Sequence, residues 1–166
     1  MALKCYNDGN ISRGDFMDHK AEIKAYWQSF VSKHHLQNAT YSAWAFGNSP
    51  EMANELADLT FKGIKTATTS AYDLYEENEP YPQVGEYNII LDGSGHPVCI
   101  TKTVVTEIMP YKNMTAEHAY HEGEGNRTLA YWRSVHEPFF RNEFKEAGQT
   151  FTEDMTCFCE VFEVVG

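Results

Sequence analysis

Residues 86–111 read EYNIILDGSGHPVCITKTVVTEIMPY. Two alternating apolar runs flank Asp92-Gly93-Ser94-Gly95, and a glycine-rich turn between such runs marks an antiparallel hairpin. Three further segments extend the sheet. Met155–Val165 (MTCFCEVFEVV) is a strand that is apolar on both faces, which places it inside the sheet. Residues 65–70 (KTATTS) are extended and rich in β-branched threonine. In 40–50 (TYSAWAFGNSP), aromatic and small residues alternate over Tyr41–Phe46 before a turn, so a short strand is expected there.

Helical periods lie between these strands. Ile23, Trp27, Phe30 and Val31 recur at helical spacing within Asp15–Leu36. A second helix is punctuated at both ends. Ser49 is an N-cap, Pro50 fits the first helical position, Glu51 suits the positive end of the dipole, and Gly63 fits the position after the C-cap. A short helix begins near Thr115. After a glycine break, a longer one is capped by Asn126 or Thr128, presents Leu129, Trp132, Val135, Phe139 and Phe140, and stops at Gly148. Residues 72–86 form a long acidic loop, and residues 1–14 a loose N-terminal arm. Residues 15–166 then form one α+β domain, helices segregated from mostly antiparallel strands, with strand spacing that suits a small, partly closed mixed β-barrel.

The chain has 166 residues, a formal charge of −11, 42% hydrophobic and 14% aromatic residues. It is long enough to bury a core without staples. The acidity disfavours duplex DNA and any broad basic nucleic-acid face. It leaves room for a local pocket that takes a small molecule or short RNA. No apolar run approaches the ~20 residues that span a membrane, and the start lacks an apolar leader segment, so a cytoplasmic setting is expected. Cys5, Cys99, Cys157 and Cys159 contain no C-x-x-C, and Cys157 and Cys159 share one face of a strand. No metal or cofactor is expected. Adjacent His34 and His35 diverge by about 100° on a helix, and His118 and His121 have no evident third ligand.

Three stretches carry candidate chemistry. In GIKTATTS (63–70), Lys65 follows a helix stop and precedes a run of hydroxyls. It is either a surface lysine at the helix's negative end or the floor of a site shared with Thr68. On an extended chain 65 and 68 point to opposite faces, so a shared site needs a bend near Gly63. In HEGEGNR (121–127), two glycines let the backbone approach a ligand. Glu122 and Glu124 can accept hydrogen bonds from a base or a ribose, and Arg127 can hold a phosphate or pair with one of those glutamates. The alternative is a polar turn between helices. In YWRSVH (131–136), Arg133 and His136 share a helix face, while Trp132 falls on the core stripe. Trp44 and Phe46 face one side of their strand and either wall a pocket or enter the core.

Together these stretches resemble the ASCH-domain family of small PUA-like β-barrels. Gly63-Ile64-Lys65 followed by Ala67-Thr68 resembles the family's G-x-K-x-x-T signature. Trp44-x-Phe46-Gly47 precedes it, and EGEGNRTLAYWRSVHEPFF (122–140) resembles a hallmark of a longer bacterial subfamily. The resemblance covers roughly residues 40–165. It implies a pocket for a nucleotide-like ligand or RNA. Some members resemble amidohydrolases acting on acetylated cytidine through a threonine, a lysine and a glutamate; others have been described as ribonucleases or as RNA-binding modules. The matching catalytic positions are Lys65 and Thr68. The glutamate position falls on Lys102, so Glu124, or Glu122, would have to supply the carboxylate. Trp44, Phe46, Gly63, Ser70, Glu122, Arg127, Arg133 and His136 are the candidate ligand contacts.

Overall fold

The computed structural model describes residues 13–166, with side chains from His19 onward. The expected arm at 1–14 lies, up to position 12, outside the described residues. The order is α1 (Arg13–His34), β1 (Tyr41–Ala45), α2 (Pro50–Phe61), β2 (Ala67–Ala71), β3 (Tyr87–Leu91), β4 (Pro97–Pro110), α3 (Ala116–Glu122), α4 (Leu129–Glu146) and β5 (Thr156–Val164). The helix expected from Asp15 thus already runs at Arg13 and stops at His34.

The five strands form one curled sheet in the order β1-β3-β4-β5-β2. β1 runs parallel to β3, and the other neighbours are antiparallel. β5 lies between β4 and β2, the interior place its two apolar faces require. The β4–β5 register shifts between Thr103 and Val105, so a bulge at Val104 reverses which side chains of β4 face each way.

Helices cover both faces. On one, Ile23, Trp27 and Phe30 of α1 pack against Ala45, Ile89, Leu91 and Ile100. On the same face, at the β5 end, Trp132, Phe140 and Phe144 of α4 pack with Tyr111, Cys157 and Cys159. On the opposite face, Leu56 and Ala57 of α2 pack with Trp44, Phe46, Ile90, Cys99 and Phe162. Strand alternation makes this division: Cys157 and Cys159 point one way along β5 and Phe162 the other. No helix among the described residues is long and apolar enough to cross a membrane.

Candidate functional site

The end of α2 places Lys65. Gly63 adopts φ 68°, its N–H donates to the Thr60 carbonyl at 2.8 Å, and the Ile64 N–H donates to the Leu59 carbonyl at 2.9 Å. These two bonds make a Schellman stop. The chain then turns between two other elements. The Thr66 N–H donates to the His121 carbonyl at 2.7 Å, and the Thr66 carbonyl accepts from the Phe162 N–H at 2.9 Å. Lys65 is directed inward and is fully buried.

The glycines of 122–125 let the second half of the site approach. Gly123 ends α3 at φ 78°, and a Cβ on it would fall 2.6 Å from the Ile64 carbonyl oxygen and 2.8 Å from the Lys65 Cα. Only a residue without a side chain permits that contact. A Cβ on Gly125 would fall 2.2 Å from the Tyr131 ring.

The Lys65 ammonium donates to Glu122 Oε2 at 3.1 Å, to the Glu122 carbonyl at 3.3 Å and to Glu124 Oε1 at 3.0 Å. These partners occupy the three donors an ammonium has. Its nitrogen also lies 5.1 Å from the centre of the Phe46 ring. Glu122 Oε1 accepts from the Thr69 hydroxyl at 2.6 Å and from the Trp132 indole at 2.8 Å. Because Thr69 donates to Glu122, its oxygen accepts from His118 Nε2 at 3.0 Å, and this fixes the His118 tautomer. His136 donates through Nδ1 to the Trp132 carbonyl at 3.0 Å and turns Nε2 toward Glu122 Oε1 at 3.4 Å.

Charge follows from this packing. Burial alone would lower the Lys65 pKa, but the Glu124 and Glu122 carboxylates outweigh it and raise it above its ordinary value. Burial alone would raise Glu122, yet the surrounding positive charge, Lys65 included, holds it well below the usual carboxylate range. Glu124 is lowered against its own burial in the same way. Burial lowers the His136 pKa, with Glu122 opposing. The cluster meets solvent at Glu124, whose side chain is 12% exposed while those of Lys65 and Glu122 are 0% exposed.

Thr68 points the other way, to the α2 face, directly across from Glu160 on β5. Glu160 is buried, and its Oε1 accepts from the Thr103 hydroxyl at 2.5 Å. Buried Asn88 and Thr101 continue this polar strip across β3 and β4, with Asn88 Oδ1 accepting from the Trp44 indole at 2.9 Å. At the β2 end, Ser70 bonds Tyr75 through their hydroxyls at 2.9 Å. Half-buried Tyr72 and Tyr81 stack at 4.9 Å and 18°, and both lie nearly parallel to Phe158, two residues before Glu160.

The candidates therefore separate. Lys65, Glu122, Glu124 and His136 meet in one cluster beside Thr69; Thr68 and Ser70 belong to the α2 face. Gly63 serves the turn, and Phe46 lies under Lys65 within the core. Trp44 is a core residue held by Asn88. Arg127 adopts φ 60°, donates to the Tyr120 carbonyl at 3.0 Å and stacks 3.6 Å from the Tyr120 ring. Arg133 donates to the Lys112 carbonyl at 3.0 Å. Lys102 lies 5.5 Å over the ring of Tyr87, its cross-strand partner on β3, and β5 separates its strand from β2. Glu160, Thr103 and the tyrosines of 72–81 were missed by sequence reasoning. A lone glutamate between Phe158 and Phe162, on their face of an apolar strand, was the available signal.

Similarity to known proteins agrees with this architecture. A family model described as ASCH domain matches residues 42–166. A crystal structure of an ASCH domain from Lactobacillus crispatus JV V101 superposes with a TM-score of 0.82 at 30% identity, covering 87% of this chain and 94% of that one. Protein EF3133 from Enterococcus faecalis V583 superposes with a TM-score of 0.79 at 39% identity, covering 87% of this chain and 93% of that one. No curated protein matches. The chain belongs to the ASCH-domain family, with its PUA-like α+β fold.

Proposed function

We propose that this chain binds a nucleoside-like small molecule on the α2 face of the sheet. The base lies against the tyrosines of 72–81, and its N–H donors are directed to Glu160, beside Thr68 and Ser70. The observation that carries this reading is the adjacency of Tyr72, Tyr81 and Phe158, nearly parallel, to a buried carboxylate two residues along the same strand. Aromatic faces stack on any base, and a carboxylate selects exocyclic amines. Glu160, with Thr68 and Ser70 beside it, offers this face acceptor oxygens, and none of the three is a cation, so the site favours donors over phosphate.

Lys65 is the ion that holds the 122–125 loop against β2. Amide hydrolysis with Lys65 as base would require a neutral amine, and three filled donors and a raised pKa oppose that. Binding is therefore the better-supported activity.

Calorimetric titration with cytidine, adenosine, N4-acetylcytidine and the corresponding 5′-monophosphates tests the proposal. The nucleosides should bind, and the 5′-phosphate should add nothing. Binding confined to the monophosphates would overturn it. Acetate release from N4-acetylcytidine that disappears in Thr68→Ala would replace binding with hydrolysis.

A further inference from the structure

The geometry points to a divalent transition-metal site, selective for zinc-type ions, formed by His19, Glu22 and His96 where α1 meets the β3–β4 turn. It is separate from the ligand face and rests on different residues. Among the described residues, this is the group of His, Cys, Asp or Glu side chains whose ligand atoms all lie within 4.8 Å of one another.

Two rigid elements supply it. His19 and Glu22 stand three apart on α1 and so share a helix face. His96 is fixed by its turn: its N–H donates to Asp92 Oδ1 at 3.0 Å, and its carbonyl accepts from the Asp92 N–H at 2.9 Å. Gly95, at φ 90°, brings the turn so close that a Cβ there would fall 3.2 Å from His19 Cδ2. Both imidazoles direct Nδ1 at one oxygen, Glu22 Oε2, at 3.1 Å from His19 and 2.8 Å from His96. The ring centres are 4.2 Å apart.

A carboxylate oxygen addressed by two imidazole nitrogens is also a metal-ligand set. Zinc bonds of about 2.0–2.1 Å place tetrahedral ligands about 3.4 Å apart. The observed separations from Glu22 Oε2, 3.1 and 2.8 Å, lie a few tenths of an ångström below that value, and these partly exposed side chains are able to adjust. Two imidazoles and one carboxylate suit zinc, nickel or copper rather than calcium or magnesium, and leave positions for water. A bound ion would clip α1 to the hairpin and raise the stability of the folded chain.

The test is calorimetric titration of zinc chloride into the metal-stripped full chain, with Cys5→Ser in the background to remove a competing thiol. One equivalent should bind. His96→Ala and Glu22→Gln should each weaken binding by about tenfold or more, as expected for loss of one donor of three, while His35→Ala leaves it unchanged. Cobalt(II) should give visible ligand-field bands in the parent chain that His96→Ala removes. His96 and Glu22 are exposed, so the melting temperature without metal shows that each variant folds. Absence of a one-equivalent site, or a site indifferent to both substitutions, would overturn the proposal.

Discussion

Lys65 and Glu122, 57 residues apart in sequence, form a salt bridge of 3.1 Å with both side chains fully buried. The pair joins the end of α2 to the end of α3. Removing one partner of such a pair leaves the other charge buried and uncompensated. Lys65→Met should therefore cost about 3–5 kcal/mol of stability. Urea denaturation of Lys65→Met, Glu122→Gln and the double variant checks this. The account expects the double variant to lose much less than the sum of the singles.

The contact of Gly123 with Ile64 makes a second prediction. Gly63 and Gly123 both have positive φ, but only Gly123 has backbone where a Cβ would go. Gly63→Ala should cost about 1 kcal/mol from the left-handed conformation alone. Gly123→Ala should cost a further ~1–3 kcal/mol from overlap with Ile64. Chemical denaturation of the two variants checks the difference.

The pH dependence of stability follows from the same pair. The folded pKa of Glu122 lies below its unfolded value, so its contribution is fully present above pH 4.5 and is lost as pH falls through the folded value. Lys65 is raised, so its contribution is fully present below pH 10.5 and is lost only as pH rises through its folded value. Stability should be flat with respect to this pair between those limits. Glu122→Gln should reduce the acid-side slope, measured as denaturant midpoint against pH.

Cys99 and Cys159 are pushed up to about 12 by burial, and Cys157 is raised further for the same reason. A thiol held protonated is a poor nucleophile. In a Cys5→Ser chain, these three should stay unmodified by a thiol reagent until denaturant is added. Mass spectrometry counts the adducts.

What the sequence disclosed depended on the range of each interaction. The hairpin, the caps at Ser49 and Thr128, and the Gly63 stop are local, set by residues a few positions apart, and were readable directly. Lys65 beyond a glycine helix stop, and Glu122 and Glu124 flanked by glycines, were readable as candidates alongside plainer readings as a surface lysine and a polar turn. Their mutual pairing was not, because it depends on α3 returning to β2 across 57 residues. Thr68 was grouped with Lys65 although strand alternation already separated them. The 72–86 segment reads as an acidic loop, and only its return onto Phe158 stacks its tyrosines. The His19–Glu22–His96 group joins residues 74 apart and left no periodic signal.

The most direct test of the central claim is the affinity of the Glu160→Gln and Tyr81→Ala chains for a nucleoside that binds the parent. The account predicts that Tyr81→Ala loses about 1–3 kcal/mol, the worth of one stacked base. Glu160→Gln should weaken nucleosides with exocyclic amines more than uridine, and Lys102→Ala should change neither. Unaltered affinity in both Glu160→Gln and Tyr81→Ala would contradict a ligand site on this face.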